Sequence, residues 1–159
     1  MNEEIIDTPE KVGLLVVDDD VDILNLVTHE LGESFDIYAV QNVVQAMDVL
    51  KKNEIAIAIC DERLKGESGS ELLANIKDQY PDIVRILISG FTDTNSIMNA
   101  INKANIFKYI VKPWGNQLKI ILEEAQKYYL ENKKNQYKDS LTSLKSEHTI
   151  LDSLYVEIK

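Results

Sequence analysis

The feature that most constrains the fold is a regular alternation of short apolar runs with longer segments of helical periodicity. Each run has five or six residues, and the segment that follows it repeats apolar residues at helical spacing. The runs are GLLVV (13–17), FDIYAV (35–40), IAIAIC (55–60), VRILIS (84–89) and FKYIV (107–111). Five strand–helix units of this kind predict a parallel sheet with helices on both faces, which is an α/β fold.

Polar residues follow four of these five runs, at the point where each strand is expected to end. Parallel strands end at the same edge of a sheet, so residues far apart in the sequence converge there. The second run ends without a charged residue, so its strand is predicted to lie at an edge away from the site. The converging residues are Asp18, Asp19 and Asp20 after the first run, Asp61 after the third, Ser89 at the end of the fourth and Lys112 after the fifth.

Carboxylates that crowd together in this way cannot all stay ionised without a counter-charge. A hard divalent cation such as Mg²⁺, which prefers oxygen ligands, would supply it, and the set contains no histidine or thiolate group suited to Zn²⁺. Lys112 adds a point charge suited to a phosphate group, and Ser89 adds a hydroxyl donor. Together these residue types are typical of phosphoryl transfer, in which a carboxylate can itself accept the phosphoryl group.

Composition excludes several other classes of protein. The net charge of −10 argues against direct binding to nucleic acid, which requires a basic surface. No apolar run approaches the roughly 20 residues that cross a bilayer, so we expect no membrane segment. The start of the chain is polar and acidic, and the single cysteine forms no disulfide framework. We therefore expect a cytoplasmic protein.

The C-terminal part of the sequence has a different pattern. Residues 131–136 (ENKKNQ) contain no apolar residue, and beyond them apolar and aromatic residues repeat at alternating spacings of four and three. This heptad pattern predicts a coiled coil that forms a homodimer or a helical connector, although a single amphipathic helix packed on the preceding domain would show it too. The stripe consists of Tyr137, Leu141, Leu144, His148, Leu151, Tyr155 and Ile158.

These patterns divide the chain into three parts. Residues 1–11 form an N-terminal tail, residues 12–130 form the α/β domain, and residues 131–159 form the helical extension. Because the sequence stops inside the heptad stripe, we expect a connector to an output domain that lies outside it. A stand-alone regulator is the alternative.

Four segments of the predicted α/β domain carry a resemblance to a known family. LLVVDDDVDI, IAICDERLKGESGSELL, RILISGF and FKYIVKPW resemble, in this order and spacing, the receiver domain of bacterial two-component response regulators. The resemblance covers residues from about 12 to 130. It implies a flavodoxin-like, doubly wound sheet of five parallel strands in the order 2-1-3-4-5.

The resemblance also implies a role for each acidic residue. Asp61 is the aspartate that accepts a phosphoryl group from a sensor histidine kinase or a phosphotransfer protein. Asp18 and Asp19 hold Mg²⁺ together with Asp61 and the backbone carbonyl of Arg63. Such a domain is not an enzyme in the usual sense, since it catalyses only its own phosphorylation and dephosphorylation.

The remaining roles concern the response to phosphorylation. Lys112 pairs with the phosphoryl oxygens, and the peptide bond to Pro113 is expected to be cis. Ser89 and Tyr109 are the switch residues that follow the phosphoryl group and change the surface for binding a partner. In this family the positions of Arg63 and Phe91 tune dephosphorylation, and both side chains are large, so we expect a phosphorylated state that is not short-lived.

Two other readings remain open at this stage. VVDDDV also fits the opening motif of haloacid-dehalogenase-type phosphohydrolases, in which Asp18 is the nucleophile and Asp20 the acid/base. That family needs a second acidic motif after a later strand, and none follows Lys112. The other reading is a pseudo-receiver, a scaffold that binds partners without being phosphorylated.

Overall fold

The computed structural model describes residues 10–90 and 94–157, without the side chains of residues 94, 96 and 148–157. The strands in chain order are β1 (Gly13–Val17), β2 (Asp36–Val40), β3 (Ile57–Asp61), β4 (Arg63–Leu64), β5 (Glu67–Ser68), β6 (Val84–Ser89) and β7 (Lys108–Val111). The helices are α1 (Val21–Leu31), α2 (Val43–Lys52), α3 (Gly69–Gln79), α4 (Thr94–Ala104) and α5 (Gln117–Glu157).

Five of the strands form one parallel sheet in the order β2-β1-β3-β6-β7. Counted without β4 and β5, these strands stand in the predicted order 2-1-3-4-5, and the second strand lies at an edge as expected. Strands β4 and β5 form a separate antiparallel hairpin directly after β3, which the sequence patterns did not predict. Two-residue strands are too short to show the alternation that marks longer ones.

The core consists of two apolar layers, one on each face of the sheet. Alternate residues of the central strands point to opposite faces, so Leu14 and Val16 of β1 pack towards α1 and α5, while Leu15 and Val17 pack towards α2, α3 and α4. Strands buried on both faces explain the continuous apolar runs in the sequence. No helix among the described residues has the length and apolar composition needed to cross a membrane.

Local signals set the beginnings of two helices beside the site. The Asp20 side chain accepts a hydrogen bond from the backbone N–H of Asp22 and caps α1, and Asn42 caps α2 in the same way through Gln45. Both capping roles follow from side-chain oxygens that satisfy free N–H groups in the first helical turn.

Helix α5 extends without interruption through the segment that lacks apolar residues. Residues 131–136 contain no proline or glycine and consist of residues that a helix accommodates, so nothing there ends it. Its first part packs on the sheet down to Tyr129, and Gln136 donates a hydrogen bond of 3.0 Å to Asp82. The division of the chain at residue 130 stays a prediction, and most of the expected N-terminal tail lies outside the described residues.

Candidate functional site at the carboxyl edge of the sheet

Three carboxylates meet at the carboxyl edge of the two central strands. Asp18 and Asp19 follow β1 and Asp61 ends β3, and these strands are paired so that Val17 lies beside Cys60. One carboxylate oxygen from each aspartate lies within 4.8 Å of the others. Asp18 is only 3% exposed, so its charge is largely removed from water. The sequence prediction that these three residues converge is therefore correct.

Lys112 supplies a positive charge to this cluster from β7's end of the sheet. Its Nζ atom lies 2.9 Å from Asp18 Oδ2 and 3.2 Å from Asp61 Oδ1, so one ammonium group joins two of the carboxylates. The backbone N–H of Lys112 donates to the carbonyl oxygen of Ser89, 3.0 Å away, and the Lys112–Pro113 bond is cis as expected. These contacts hold the lysine at the strand edge.

The environment shifts the pKa values of Asp61 and Lys112. Burial raises the pKa of Asp61, Lys112 partly offsets this, and the charges of Asp18 and Asp19 raise it further. Burial lowers the pKa of Lys112, but the hydrogen bond to Asp18 and the charges of Asp61 and Asp18 outweigh it and raise that pKa overall. The lysine is therefore firmly charged, whereas the cluster still holds more negative charge than one lysine neutralises.

The donor set fits a hard divalent cation. Three aspartate side chains with oxygens this close offer the ligands that Mg²⁺ prefers, and their surplus negative charge would be neutralised by it. Among the described residues no histidine or cysteine side chain joins these carboxylates in a metal-binding group.

The other predicted site residues lie on the expected elements. Ser89 ends β6 and is 6% exposed, and Tyr109 is a half-buried residue of β7 that packs against the layer of α2, α3 and α4. Arg63 is exposed on β4, directly beyond the cluster. Phe91 lies outside the described residues.

Asp20 belongs to helix α1 and not to the carboxylate cluster. Its side chain is used in capping α1, and its backbone N–H donates to Asp18 Oδ1 at 2.9 Å. A phosphohydrolase of the haloacid-dehalogenase type would need this side chain as acid/base, so its capping role does not favour that reading.

The chain after Asp61 turns back sharply through the β4–β5 hairpin into α3. Gly66 adopts a φ of 72° at the turn, a conformation that residues with a Cβ atom rarely adopt. Gly69 packs so tightly against β3 that a Cβ atom there would overlap the carbonyl oxygen of Asp61. Both glycines thus position the backbone beside the site.

One cluster beside the site was missed from the sequence. The carboxylate of Glu62 accepts hydrogen bonds from the hydroxyls of Ser68 and Ser70, which lie beyond the hairpin. No periodic pattern or known motif links residues at this spacing, so only a correct hairpin would have brought them together.

Several curated proteins are similar to most of this chain. The hydrogenase transcriptional regulatory proteins HoxA of Cupriavidus necator and Bradyrhizobium diazoefficiens are 37% and 35% identical over 66% and 73% of the chain. A putative NtrX-like response regulator of Rickettsia bellii is 34% identical over 70% of it. The chain spans about a quarter of the length of these relatives, 22%, 24% and 24% respectively.

Solved structures share the fold. The signal receiver domain of an HD domain-containing protein from Pseudomonas fluorescens has a TM-score of 0.74 and 31% identity, and the match covers 77% of this chain and 99% of that one. The response regulator TrrA of Thermotoga maritima, solved in complex with Mg²⁺ and BeF, has a TM-score of 0.64 and 25% identity. That match covers 72% of this chain and 98% of TrrA.

These relatives remove the support for one expectation. Two of them are named as transcriptional regulators, and the net charge of −10 describes only this chain, which corresponds to about a quarter of their length. The expectation that the protein acts without direct contact with nucleic acid is therefore unsupported.

A family model covers most of the α/β domain. Residues 14–123 match the model of the response regulator receiver domain, and this range contains all of the cluster and every residue expected to act with it. The fold, the arrangement of the acidic residues with Lys112, and the similar proteins agree with that match. The chain therefore belongs to the family of response regulator receiver domains.

Proposed function

We propose that Asp61 accepts a phosphoryl group from the histidine of a sensor kinase or a phosphotransfer protein. Phosphorylation-dependent switching is the general function of receiver domains, which interact with proteins of these two kinds. The observation that carries the assignment is the ion pairing of one lysine with two carboxylates, Lys112 with Asp18 and Asp61. Since the raised pKa of Lys112 keeps it protonated, it stands ready to pair with the oxygens of an incoming phosphoryl group.

The proposed reaction forms one bond and breaks one. A carboxylate oxygen of Asp61 attacks phosphorus, an acyl phosphate forms, and the bond from phosphorus to the donor's imidazole nitrogen breaks. The imidazole leaves with the electron pair of that bond and takes up a proton. Catalysis in this class of reaction depends on positioning and on stabilising charge, which are the functions that Lys112 and Ser89 would serve.

We propose that Asp18, Asp19, Asp61 and the backbone carbonyl of Arg63 hold Mg²⁺. The closeness of the three carboxylates supports this ligand set, and the TrrA structure, solved in complex with Mg²⁺ and BeF, supports the choice of metal. The cation would neutralise the surplus negative charge and bind phosphoryl oxygens.

The response to phosphorylation is assigned to Ser89 and Tyr109. Ser89 lies at the end of β6, and its backbone carbonyl oxygen accepts a hydrogen bond from the N–H of Lys112, so the residue lies beside the proposed phosphorylation site. Tyr109 of β7 is paired with Leu87 of β6, so it lies in the same part of the sheet as Ser89. We propose that both move when the phosphoryl group arrives and so change the surface that a partner binds.

The test is the intact mass of the protein after incubation with acetyl phosphate and MgCl₂. Wild type is expected to gain one phosphoryl group, and the gain should disappear in Asp61→Asn and without Mg²⁺. Asp20→Asn is the matched control, because it makes the same change at a residue that caps α1 and should still be phosphorylated. Loss of the adduct in the control as well would count against the assignment.

Other outcomes would favour the alternatives. An adduct that persists in Asp61→Asn but not in Asp18→Asn would favour the phosphohydrolase reading. Wild type that never gains mass would favour the pseudo-receiver scaffold. We expect neither, and we propose that the chain catalyses only its own phosphorylation and dephosphorylation, in the cytoplasm, where reducing conditions keep the buried Cys60 a free thiol.

We also propose that the extension dimerises through a two-stranded coiled coil. Tyr137, Leu141 and Leu144 of the heptad stripe are 66%, 38% and 61% exposed, so the part of the stripe with described side chains is not packed on the receiver. The heptad stripe is offset by about one residue, or roughly 100° around the helix, from the positions of α5 that pack on the sheet. Those positions are Leu118, Leu122, Ala125 and Tyr129. A second copy of the same helix would bury it.

Light scattering after size exclusion tests the dimer. Leu141→Glu with Leu144→Glu places charges on the stripe and should give a monomer. Ser143→Glu with Ser146→Glu adds the same charge at exposed positions off the stripe and should leave the dimer intact. A monomeric wild type would refute the coiled coil.

A further inference from the structure

Glu62, the residue after Asp61, forms a compact polar cluster with two serines. Ser68 Oγ and Ser70 Oγ lie 2.9 Å and 3.0 Å from Glu62 Oε1, and the two hydroxyls lie 2.7 Å from each other. A carboxylate oxygen that accepts from two hydroxyls makes charge-assisted hydrogen bonds, which are stronger than neutral ones. The cluster thus ties the residue beside the proposed phosphorylation site to β5 and to the first turn of α3.

The second oxygen of the same carboxylate is shut off from solvent and has no hydrogen-bond partner among the described residues. Burying an unpaired carboxylate oxygen is unfavourable, and such groups are rare in folded proteins. Solvation alone would therefore favour a more exposed position for this side chain. The hydrogen bonds that Oε1 accepts from the two serines favour the buried position that is observed.

The backbone of Glu62 is held on both sides as well. Its N–H donates to the carbonyl oxygen of Ile88 at 2.8 Å, and its carbonyl oxygen accepts from the N–H of Gly69 at 2.9 Å. In the hairpin, Ser68 is paired with Arg63, whose carbonyl is the proposed backbone ligand of the cation. The hydrogen bond from Ser68 to Glu62 therefore closes a loop that contains Arg63.

We propose that Glu62 is a positioning residue for the phosphorylation site. Through its hydrogen bonds with Ser68 and Ser70, it holds the backbone of residues 61–63 in place, so that these residues need little ordering when a divalent cation binds. The proposal rests on the function proposed above, because it concerns the same cation site. Residues that orient the ligands of a metal without contacting the metal typically lower the protein's affinity for it by about tenfold or more when they are replaced.

A different role for Glu62 would be simple attraction of the cation by its negative charge. The two roles predict different behaviour for matched variants. Glu62→Gln removes the charge but keeps an oxygen that accepts from the serines, whereas Glu62→Ala removes both. Ser70→Ala keeps the charge, removes one of the two donors, and leaves Ser68 in place as the N-cap of α3.

The experiment is a titration of each variant with MgCl₂ at constant ionic strength, read from the fluorescence of Trp114. This residue is the only tryptophan, is 6% exposed, and follows Lys112 by two positions. We expect Glu62→Ala to raise the dissociation constant about tenfold and Glu62→Gln to stay within about twofold of wild type. Ser70→Ala should weaken binding by an intermediate factor and should have no further effect in the Glu62→Ala background.

A second readout separates positioning from general damage. In Glu62→Ala, the MgCl₂ concentration that gives half-maximal phosphorylation by acetyl phosphate should rise, while the rate at saturating MgCl₂ returns to that of wild type. If Glu62→Ala fails to fold, Ser70→Ala and Glu62→Gln still test the proposal, because they predict weakened and preserved binding respectively.

The outcomes distinguish this proposal from the proposed function. Wild type that binds Mg²⁺ with Glu62→Ala unchanged would overturn the positioning role alone. Equal weakening in Glu62→Gln and Glu62→Ala would also overturn it, since charge would then be the cause. Wild type that does not bind Mg²⁺, or Asp19→Asn that binds as tightly as wild type, would overturn the proposed cation site and this inference with it.

Discussion

At the scale of single residues, the site is a balance of charges that the fold imposes. Asp18, Asp19 and Asp61 lie together because their strands are neighbours, and Lys112 neutralises only part of their charge. Burial is the largest cause of the raised pKa of Asp61, and the negative charges of Asp18 and Asp19 raise it further. Without a bound cation, the ionised carboxylates of the site therefore destabilise the folded state.

Replacing the phosphoacceptor should stabilise the cation-free protein. The raised pKa means that the folded protein keeps the Asp61 proton to a higher pH than the unfolded chain does. The free energy of unfolding thus falls as pH rises from about 3.9, the unfolded value, through the folded pKa. In EDTA at pH 7, Asp61→Asn should melt above wild type, by about 2–4 °C for each 1 kcal/mol by which the Asp61 charge destabilises the fold.

Thermal melts across a range of pH provide the check. The difference between Asp61→Asn and wild type should shrink as the pH falls through the raised pKa of Asp61, because wild type then becomes protonated at this position as well. Asp20→Asn is the control, because it makes the same substitution at a neighbouring residue whose side chain caps α1 outside the carboxylate cluster. A difference that is constant with pH would contradict the assignment of the effect to the Asp61 charge.

A methyl group at Gly69 should damage both stability and the site. The new Cβ would overlap the carbonyl oxygen of Asp61, so α3 or the end of β3 must shift. We expect Gly69→Ala to lower the free energy of unfolding by about 1–3 kcal/mol, as overpacking usually does, and to slow phosphorylation. Gly90→Ala is the control, because its Cβ would meet no described atom within 4 Å and should leave the denaturation midpoint nearly unchanged.

At the scale of elements, a single buried arginine joins three parts of the chain. Arg85 of β6 is 8% exposed, and it donates to the carbonyl oxygens of Ala104 and Asn105 at the end of α4. It also donates to Pro81 and Ile83 in the connection from α3 to β6. Burial lowers its pKa, but the four carbonyls provide acceptors that replace water. The C-terminal end of α4 is thus fastened to the sheet.

Removing this guanidinium should loosen the end of α4. Arg85→Met keeps most of the apolar stem but leaves the carbonyls without their donor, so we expect a loss of about 1.5–3 kcal/mol, the range for hydrogen bonds to charged groups. Arg85→Lys should recover only part of it, since an ammonium cannot reproduce the planar fork of donors. Chemical denaturation measures the loss, and hydrogen exchange should rise in the last turn of α4.

Lys103→Met is the matched control for that experiment, because it removes a positive charge from an exposed position on α4. It should change the free energy of unfolding by less than about 0.5 kcal/mol. If both variants lose the same stability, net charge and not the carbonyl contacts would explain the effect.

At the scale of the whole molecule, the receiver and its extension depend on different interactions. The receiver has two apolar layers, whereas the part of α5 beyond Gln136 exposes its apolar stripe over the described side chains. Most of the stability of a helix in a protein comes from the packing of its apolar face, which this part of α5 lacks in a single copy. The order of the extension should therefore follow the state of association, while the receiver folds independently.

Helix content should accordingly fall on dilution below the dimer dissociation constant. Far-ultraviolet circular dichroism should show this loss in wild type and a permanent loss in Leu141→Glu with Leu144→Glu. The thermal midpoint of the receiver should be nearly the same in both proteins. Helicity that is independent of concentration in a protein shown to dissociate would mean that the extension is stable as a single helix.

Much of the fold and the site followed from local patterns in the sequence. The alternation of apolar runs with helical segments determined the parallel sheet, because strands covered on both faces must be apolar throughout. The residues that end those strands determined which side chains converge, since parallel strands share one edge. Asp18, Asp61 and Lys112 were therefore predictable although up to 94 positions separate them.

Only the tertiary structure decided the contacts that depend on non-periodic neighbours. The pairing of Glu62 with two serines requires the β4–β5 hairpin, and the four acceptors of Arg85 come from separate loops and helix ends. Likewise, only packing distinguishes the stripe of α5 that lies on the sheet from the one that stays exposed. Periodicity records which face of an element is apolar, whereas the partner of a polar side chain is set by distances that exist only after the elements have packed.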